Sequence, residues 1–499
     1  MREALSVAEP RPVSTGVRAG TARRQVSAAG RPRSATGTER GGRAVVFAAL
    51  AVLAVPWAEL SLPAVAAALV WALATALIFG YAVAGGRVLT GTVLMATCLA
   101  YSNGLGGAVV SGVTIDGYHA TAEGAQLAAL SLLFFLVVVA WSARLTHGAL
   151  EAGRAHETRE TSARVELSVL IFLGLCFLAA LGKGMLSNWG GAPPPNQEVG
   201  AIRLELLYGP TLLVALTCRS AGRVDGGPPG GLGVKLAPWQ IGAFAVNLAL
   251  LFVLQSRRLM IAVALIIGLG QALQARWRLS LGVWLRLGAV AVVMLVFAVA
   301  STGWRSVSSG ETVDLRGRFD RAVDSIGDTK GVEAIESRLT YLWFDAIVLD
   351  MQPFGADADG LDLLASELAR AVPRIILPSK DSIPVATCET ALDGFGLPQD
   401  LPCTPTGEGL LLGGVLGVLM SAILAGLLLG FAEALVGHVG GLGRVFGLFL
   451  IHQAIQLEAG VFSFVSAVRL AILGTGFIAL IWLVLTFVGQ RRAARSGRA

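Results

Sequence analysis

The chain has 499 residues, of which 55% are hydrophobic and only 14% are charged, and its mean hydropathy is +0.70. Soluble domains carry roughly 25% charged residues, so this composition excludes an ordinary water-soluble protein and indicates a membrane protein. The net charge of +6 arises from 39 Lys and Arg against 33 Asp and Glu.

The first 43 residues contain nine arginines and almost no large apolar side chain. Such a composition cannot bury enough surface to offset the entropy lost on ordering, so we predict a disordered basic cytoplasmic tail. The first apolar run begins only at Ala44, and no cleavable signal peptide is visible. The tail is interpreted as a solvated topology signal, with contact between its arginines and anionic lipid headgroups as the alternative.

Apolar runs of about 17 to 25 residues are long enough to cross a bilayer as helices. Twelve such spans are predicted: 44–58, 64–84, 88–110, 123–142, 166–182, 202–218, 238–255, 259–275, 284–303, 409–436, 445–463 and 469–489. The sequence therefore predicts an all-α polytopic membrane protein with about 12 transmembrane helices. Spans 1–9 occupy residues 44–303 and spans 10–12 occupy residues 409–489.

The distribution of Lys and Arg orients these spans. With the N-terminus in the cytoplasm, 25 of the 39 fall on the inner side, and nine of the remaining 14 lie in the segment 304–408. Cations in long loops count little toward orientation, so the informative contrast is 25 inside against 5 outside. We therefore predict that both termini are cytoplasmic, including the basic tail 490–499. The segment 304–408 is then a large external loop between spans 9 and 10.

This external segment is the expected location of the chemistry, because loops longer than about 15 residues are usually functional or disordered. It carries 18 acidic against 9 basic residues, so a general attraction for polyanions is excluded and individual cations must be placed. Two stretches, 339–349 and 361–372, are predicted to form amphipathic helices at the outer membrane interface.

A proline-rich strip, AVPRIILPSKDSIP, follows at 371–384 and is predicted to be extended. Each proline fixes φ and pushes its preceding residue away from the helical region. The strip holds Arg374 and Lys380. Further along, Cys388 and Cys403 are predicted to form a disulfide, since bridges persist outside the cell and no histidine is nearby to complete a metal site.

Further cations stand at the predicted outer ends of spans and beside the first external helix: Arg203, Arg257, Arg258, Arg338 and Arg469. A guanidinium near the membrane is costly unless it is paired or hydrated, so such residues are functional candidates. The alternative is an arginine that snorkels to a lipid phosphate. Because the planar fork of arginine grips phosphate oxygens in bidentate fashion, several arginines at one outer cavity would suit a lipid-linked pyrophosphate. The same charges would stabilise a pyrophosphate leaving group.

Four motifs, SRRLM, ESRLTYLWFDAI, VPRIILPSKDSIP and GEGLLLGGVLGVLMSAILAGLLLG, occur in this order in the chain. The pattern resembles the O-antigen polymerase and oligosaccharide repeat unit polymerase group of bacterial membrane glycosyltransferases, relatives of the O-antigen ligases. The resemblance covers roughly residues 200–490 and is one of layout and short motifs. It implies a type C glycosyltransferase-like bundle and a glycan linked to a polyprenyl pyrophosphate such as undecaprenyl pyrophosphate. It implies neither a nucleotide sugar nor a metal, and thus no cofactor.

The resemblance also implies roles for particular residues. Essential-arginine roles fall on Arg257 or Arg258, Arg338 and Arg374, with Lys380 in support, and Arg203 is assigned to substrate binding from its place at a span end. Related ligases use an external histidine near the reacting hydroxyl, whereas His119, the only clearly external histidine here, lies far from the motifs. His452 and Glu458 are the remaining candidates for the base. The alternatives are a core histidine for His452 and an ion pair with Arg469 for Glu458.

The predicted function is the polymerisation of lipid-linked oligosaccharide repeat units on the outer face of the cytoplasmic membrane. The expected partners are membrane lipids, a flippase and a chain-length regulator, and no nucleic acid is expected. The alternatives are a polysaccharide ligase of the same fold, a twelve-span transporter or flippase of lipid-linked sugar, and a non-catalytic member of a cell-envelope complex. The transporter is disfavoured because no internal repeat relates the two halves of the chain. Sugar identity, linkage and chain length have no local signature.

Overall fold

The computed structural model describes residues 62–78, 118–152, 163–180, 204–220, 315–327, 341–351, 404–438, 441–453 and 463–496, with isolated positions between them. The elements of this part of the chain are α1 (Leu62–Ile78), β1 (Thr114–Ile115), β2 (Tyr118–His119), α2 (Ala122–Ala152), α3 (Ala163–Ala180), α4 (Leu204–Ser220), α5 (Leu315–Gly327), α6 (Tyr341–Met351), α7 (Pro405–His438), α8 (Leu442–Gln453) and α9 (Ser463–Ser496). It is helical throughout, apart from the two-residue antiparallel ladder of β1 and β2.

Three of these helices are long and apolar enough to cross a membrane: Ala122–Leu150 in α2, Gly413–Val436 in α7 and Val468–Arg491 in α9. Each also exposes large apolar side chains, among them Leu130 and Val137 of α2, Leu416 and Met420 of α7, and Leu480 and Leu483 of α9. Water-soluble proteins rarely expose apolar surface on this scale. The prediction of a helical membrane protein is therefore confirmed.

The finer prediction of twelve spans goes beyond the described residues. Spans 1, 7 and 8 lie outside them, and spans 3 and 9 are described only at single positions. Where comparison is possible, α1, α3, α4 and α9 coincide with predicted spans, α2 runs ten residues beyond span 4, and α8 is described only as far as Gln453 of span 11. Helix α5 was not predicted.

The helices pack as two groups. Helices α1, α2, α6 and α7 enclose one apolar core, and α3, α4, α8 and α9 enclose a second. In the second group, Phe172 of α3 stacks on Phe477 of α9 with ring centroids 5.6 Å apart. The groups meet where Gly447 of α8 lies against α7: a Cβ there would be 2.8 Å from the carbonyl oxygen of Ala432.

Helices α2 and α7 form a close seam through glycine. Gly426 lies against Val139 and Ser142, and a Cβ on Gly430 would be 2.5 Å from the carbonyl oxygen of Ala143. Because the contact advances by four residues on both helices, the two run parallel. Small residues four apart allow helix backbones to approach closely, which is how helices associate in lipid without a hydrophobic driving force.

Helix α7 is broken near its start. Gly414 has φ 59° and ψ −137°, a conformation that only glycine adopts without strain. A Cβ on Gly409 would lie 2.8 Å from the Cα of Val418, although nine residues of continuous helix would span about 13.5 Å. The short arm 405–412 therefore folds back against the main helix 414–438. Span 10 was predicted as one continuous helix, and the paired glycines explain the difference.

Candidate functional site

Among the residues predicted to act in catalysis, in substrate binding or in the disulfide, the structure describes His452. The others, Arg203, Arg257, Arg258, Arg338, Arg374, Lys380, Glu458, Cys388 and Cys403, lie outside the described residues. Arg469, the proposed partner of Glu458, is half-buried on α9. The roles assigned to these residues remain predictions.

His452 is buried between α8 and α4. Its Nε2 lies 3.4 Å from the hydroxyl oxygen of Thr217. That hydroxyl donates its proton to the carbonyl oxygen of Leu213 at 2.8 Å. The other ring nitrogen, Nδ1, is buried with no hydrogen-bond partner among the described residues. This geometry matches the alternative of a core histidine bonded between helices.

We expect His452→Leu to melt at the same temperature as the wild type or higher. A buried polar atom that lacks a hydrogen-bond partner, such as Nδ1, lowers the free energy of unfolding by about 1–3 kcal/mol through its desolvation. An apolar side chain of similar size removes that cost. Thermal unfolding in detergent, followed by tryptophan fluorescence, measures the effect, with Leu448→Asn on the same buried helix as a destabilised control. A large loss of stability in His452→Leu would contradict the interpretation that Nδ1 is buried without a hydrogen-bond partner. If the variant is stable but makes no polymer, His452 is needed for activity, as expected of the predicted base.

A different polar site lies where α2 begins. Thr121 precedes the helix, and its hydroxyl accepts from the backbone N–H of Gly124 at 2.9 Å. Asp350, at the end of α6, accepts from the N–H of Thr121 at 2.6 Å and from its hydroxyl at 2.7 Å. The first N–H groups of a helix have no intrahelical acceptor, so threonine and aspartate together satisfy them. A Cβ on Gly124 would come within 2.8 Å of the Asp350 carboxylate, so glycine leaves the space that the acid occupies.

The same arrangement recurs where α7 begins. The Thr404 hydroxyl accepts from the N–H of Gly407 at 2.8 Å and donates to the carboxylate of Asp345, 2.7 Å from each oxygen. A Cβ on Gly407 would lie 2.5 Å from Oδ1 of Asp345. Both helices thus begin with the pattern Thr-x-x-Gly, and each receives one aspartate from α6. Thr406, the next residue but one, has a buried hydroxyl without a partner in the described part of the chain.

Asp345 is fully buried, which sets its electrostatics. Burial raises the pKa of Asp345 from 3.8 to about 7, and the hydrogen bond from Thr404 opposes the rise only in part. The carboxyl group therefore gains or loses a proton near neutral pH. It does so beside the N-terminus of α7, where the helix dipole favours the ionised form.

The middle of helix α6 is buried, and Asp350 near its end is exposed. Every residue from Leu342 to Leu349 is buried, and the helix packs chiefly along α2. Because its last turn meets the first turn of α2 through Asp350 and Thr121, α6 runs antiparallel to α2. The prediction of a helix over 339–349 is confirmed for residues 341–349, but the prediction that it is amphipathic is wrong, since Leu342 to Leu349 are all buried and the exposed Asp350 lies beyond the predicted stretch.

A second buried acid, Glu433, joins α7 to another predicted span. Glu433 accepts from the backbone N–H of Thr92 at 3.0 Å and from its hydroxyl at 2.8 Å. Thr92 lies near the start of span 3, so the chemistry repeats that of Asp345 and Asp350. Sequence reasoning missed all three acids. The local signal was the pair of Thr-x-x-Gly patterns, 121–124 and 404–407, each directly before an apolar run.

The arrangement can hold helices in register and can exchange one proton at Asp345. In the described segments, no three His, Cys, Asp or Glu side chains come together as metal ligands. Comparisons with known proteins return nothing for this chain: no family model, no curated protein and no solved structure matches it.

Proposed function

We propose that the protein is a membrane glycosyltransferase that polymerises lipid-pyrophosphate-linked oligosaccharide repeat units on the outer face of the cytoplasmic membrane. A sugar hydroxyl of one lipid-linked unit attacks the anomeric carbon of another. The bond from that carbon to the pyrophosphate oxygen breaks, the polyprenyl pyrophosphate leaves with the electron pair, and the hydroxyl proton passes to a base. Arginines that hold the pyrophosphate stabilise the developing charge.

The observation that supports this proposal is the way α6 is built into the bundle. The segment 304–408 contributes a helix buried between two long apolar helices and hydrogen-bonded to the start of each. Arg338 precedes this helix by three residues in the sequence, and Arg374 follows in the same segment. Electrostatic catalysis requires charges held in place before the reaction, and a segment anchored at two helix ends meets that requirement.

Arg374→Ala and Arg338→Ala test the proposal. Each should lower the rate of polymer formation by about 10²–10³-fold, the usual cost of removing one charge-stabilising donor. The assay is polymer length and amount from lipid-linked repeat units in proteoliposomes. Protein level and melting temperature should stay near those of the wild type.

Arg316→Ala is the matched control, since Arg316 is an exposed arginine of the same segment. It should make polymer normally. Wild-type polymer lengths from Arg374→Ala would refute the proposal.

A second candidate, a transporter of lipid-linked sugar, has one observation in its favour. Broken helices such as α7 line the substrate sites of many transporters, and the fold-back at Gly414 is a break of this kind. Proteoliposomes separate the two functions. Movement of a fluorescent lipid-linked sugar across the bilayer without new glycosidic bonds would favour transport, whereas polymer without movement would favour the glycosyltransferase.

A further inference from the structure

Helix α5 packs one side onto the end of the ninth apolar run. Ser325 donates to the carbonyl oxygen of Val299 at 3.1 Å. A Cβ on Gly303 would lie 2.7 Å from the Cβ of Ser325. Arg318 and Ala322, one turn apart on α5, lie on the same face as Ser325 and are also buried. The helix is therefore fixed against residues 299–303 along one side.

An apolar stripe on α5 is left uncovered. Phe319, Val323 and Ile326 are 61%, 50% and 47% exposed. Their spacing of four and three residues places them on one face of the helix. The charged residues Arg316, Asp320 and Asp324 are also exposed, and helical periodicity places them on the adjoining face. The open side of α5 is thus divided into an apolar half and a charged half.

The helix beneath α5 continues this apolar surface. Val292, Val296, Val299 and Gly303 are each helical and recur at spacings of four, three and four, which puts them on one face. Helix α5 covers the last two, whereas Val292 and Val296 are 60% and 41% exposed. These two valines lie within a predicted span of twenty residues, 284–303, long enough to cross a bilayer. The α5 stripe therefore belongs to a helix that packs at the end of a predicted membrane span, and this span also has exposed valines.

We propose that α5 lies in the plane of the membrane interface and that bilayer phospholipid covers its apolar stripe. The stripe defined by Phe319, Val323 and Ile326 contacts the acyl chains near the headgroups. The charged half faces headgroups and water. A helix with one apolar and one charged side adopts this position because its apolar side leaves water while its charges stay hydrated. Lipid is selected as the occupant because α5 is fixed to Val299 and Gly303 at the end of a predicted membrane span whose Val292 and Val296 are exposed.

Collision measurements on a spin label test the proposal in nanodiscs. The nitroxide is carried on a genetically encoded ketone side chain, so the native cysteines remain. It replaces Phe319, Val323 or Ile326 in one set of proteins and Arg316, Asp320 or Asp324 in the matched set. At the stripe positions, collisions with oxygen should exceed those with a water-soluble nickel chelate several-fold. At the charged positions the order should reverse.

The same measurement distinguishes the other occupants. Frequent collisions with nickel at the stripe would mean that it faces water, and few collisions with either reagent would mean that protein covers it. Either result overturns the proposal. A second readout uses the unmodified protein: phospholipid with a photoactivatable group near the start of its acyl chain should label the tryptic peptides 319–321 and 322–330. Absence of label from both peptides would also overturn the proposal.

Discussion

Replacing Gly430 with leucine is expected to destabilise the protein more than the other substitutions considered. A Cβ at this position would already lie 2.5 Å from the carbonyl oxygen of Ala143 and 2.9 Å from the Cβ of Thr146. The remainder of a leucine has no space unless α2 and α7 separate. Overpacking a core costs typically 1–3 kcal/mol, and backbone neighbours cannot move aside as side chains do, so we expect about 3 kcal/mol or more.

A graded series makes this test specific. Gly430→Ala should lower the melting temperature less than Gly430→Leu, because only one carbon is added. Gly174 of α3 is the matched control, since no atom outside its own helix lies within 4 Å of an added Cβ. Gly174→Leu should leave stability unchanged or raise it slightly, because leucine favours helix over glycine by up to about 1 kcal/mol. Equal melting temperatures for Gly430→Leu and Gly174→Leu would show that α2 and α7 do not meet here.

The arm 405–412 of α7 folds back against the main helix, so its beginning is not the beginning of the helix that runs parallel to α2. A short helix nevertheless joins the beginning of this arm to the beginning of α2. Helix α6 does so with Asp350 for Thr121 and Asp345 for Thr404. Five residues of helix turn the two acids about 140° apart, so they point toward different neighbours.

The helical membrane class was predictable, because it depends only on composition and on the length of apolar runs. The runs 166–182 and 202–218 place α3 and α4 to within a few residues. The extent of α2 was not predictable in the same way. Its helix continues past residue 142 into ARLTHGALEA, where polar residues end the predicted span although the helix persists to Ala152. The length of an apolar run in the sequence is set by the thickness of the membrane, and the helix itself can extend beyond that run.

The burial of α6 could not be inferred from its sequence. The run 339–349 contains Asp345, and Asp350 follows, so an exposed polar face was the expected interpretation. In the structure the two acids face the beginnings of α2 and α7, which supply the hydrogen-bond donors. The partners are 229 and 59 residues away in the sequence. Local periodicity carries no information about partners at that distance.

Other departures have local causes. The pair Gly413–Gly414 was read as part of a glycine-rich span, yet φ of 59° at Gly414 turns the chain back. The sequence does not predict helix α5 because the charged residues of this segment outnumber its large apolar ones, although the apolar residues of FDRAVDSI recur at helical spacing. For the site, His452 was named as a candidate base or a core histidine, and its bond to Thr217 agrees with the second. The arginine cluster remains a prediction.

The stability of the protein is expected to fall as the pH rises through 7, and Asp345 is the reason. Its pKa is about 7 in the folded protein and 3.8 when exposed. Between these values the folded state binds the proton and the unfolded state does not, so the free energy of unfolding decreases as pH increases. The stabilisation is complete below pH 3.8 and is lost as the pH passes 7. The resulting decrease in the free energy of unfolding is roughly 2–4 kcal/mol in total. The lower value applies if the α7 dipole favours the carboxylate.

Asp345→Asn isolates this contribution, because an uncharged amide keeps the shape of the protonated acid and still accepts from Thr404. Melting temperatures from about pH 5.5 to about pH 8.5 should decline in the wild type and decline less in Asp345→Asn, which should be the more stable of the two at the alkaline end. Asp350→Asn keeps Asp345 and should retain the wild-type decline. A wild type and an Asp345→Asn variant with parallel curves would mean that Asp345 is ionised throughout, held so by the α7 N-terminus. In that case the site would be a fixed charge at a helix end and would have no proton to exchange.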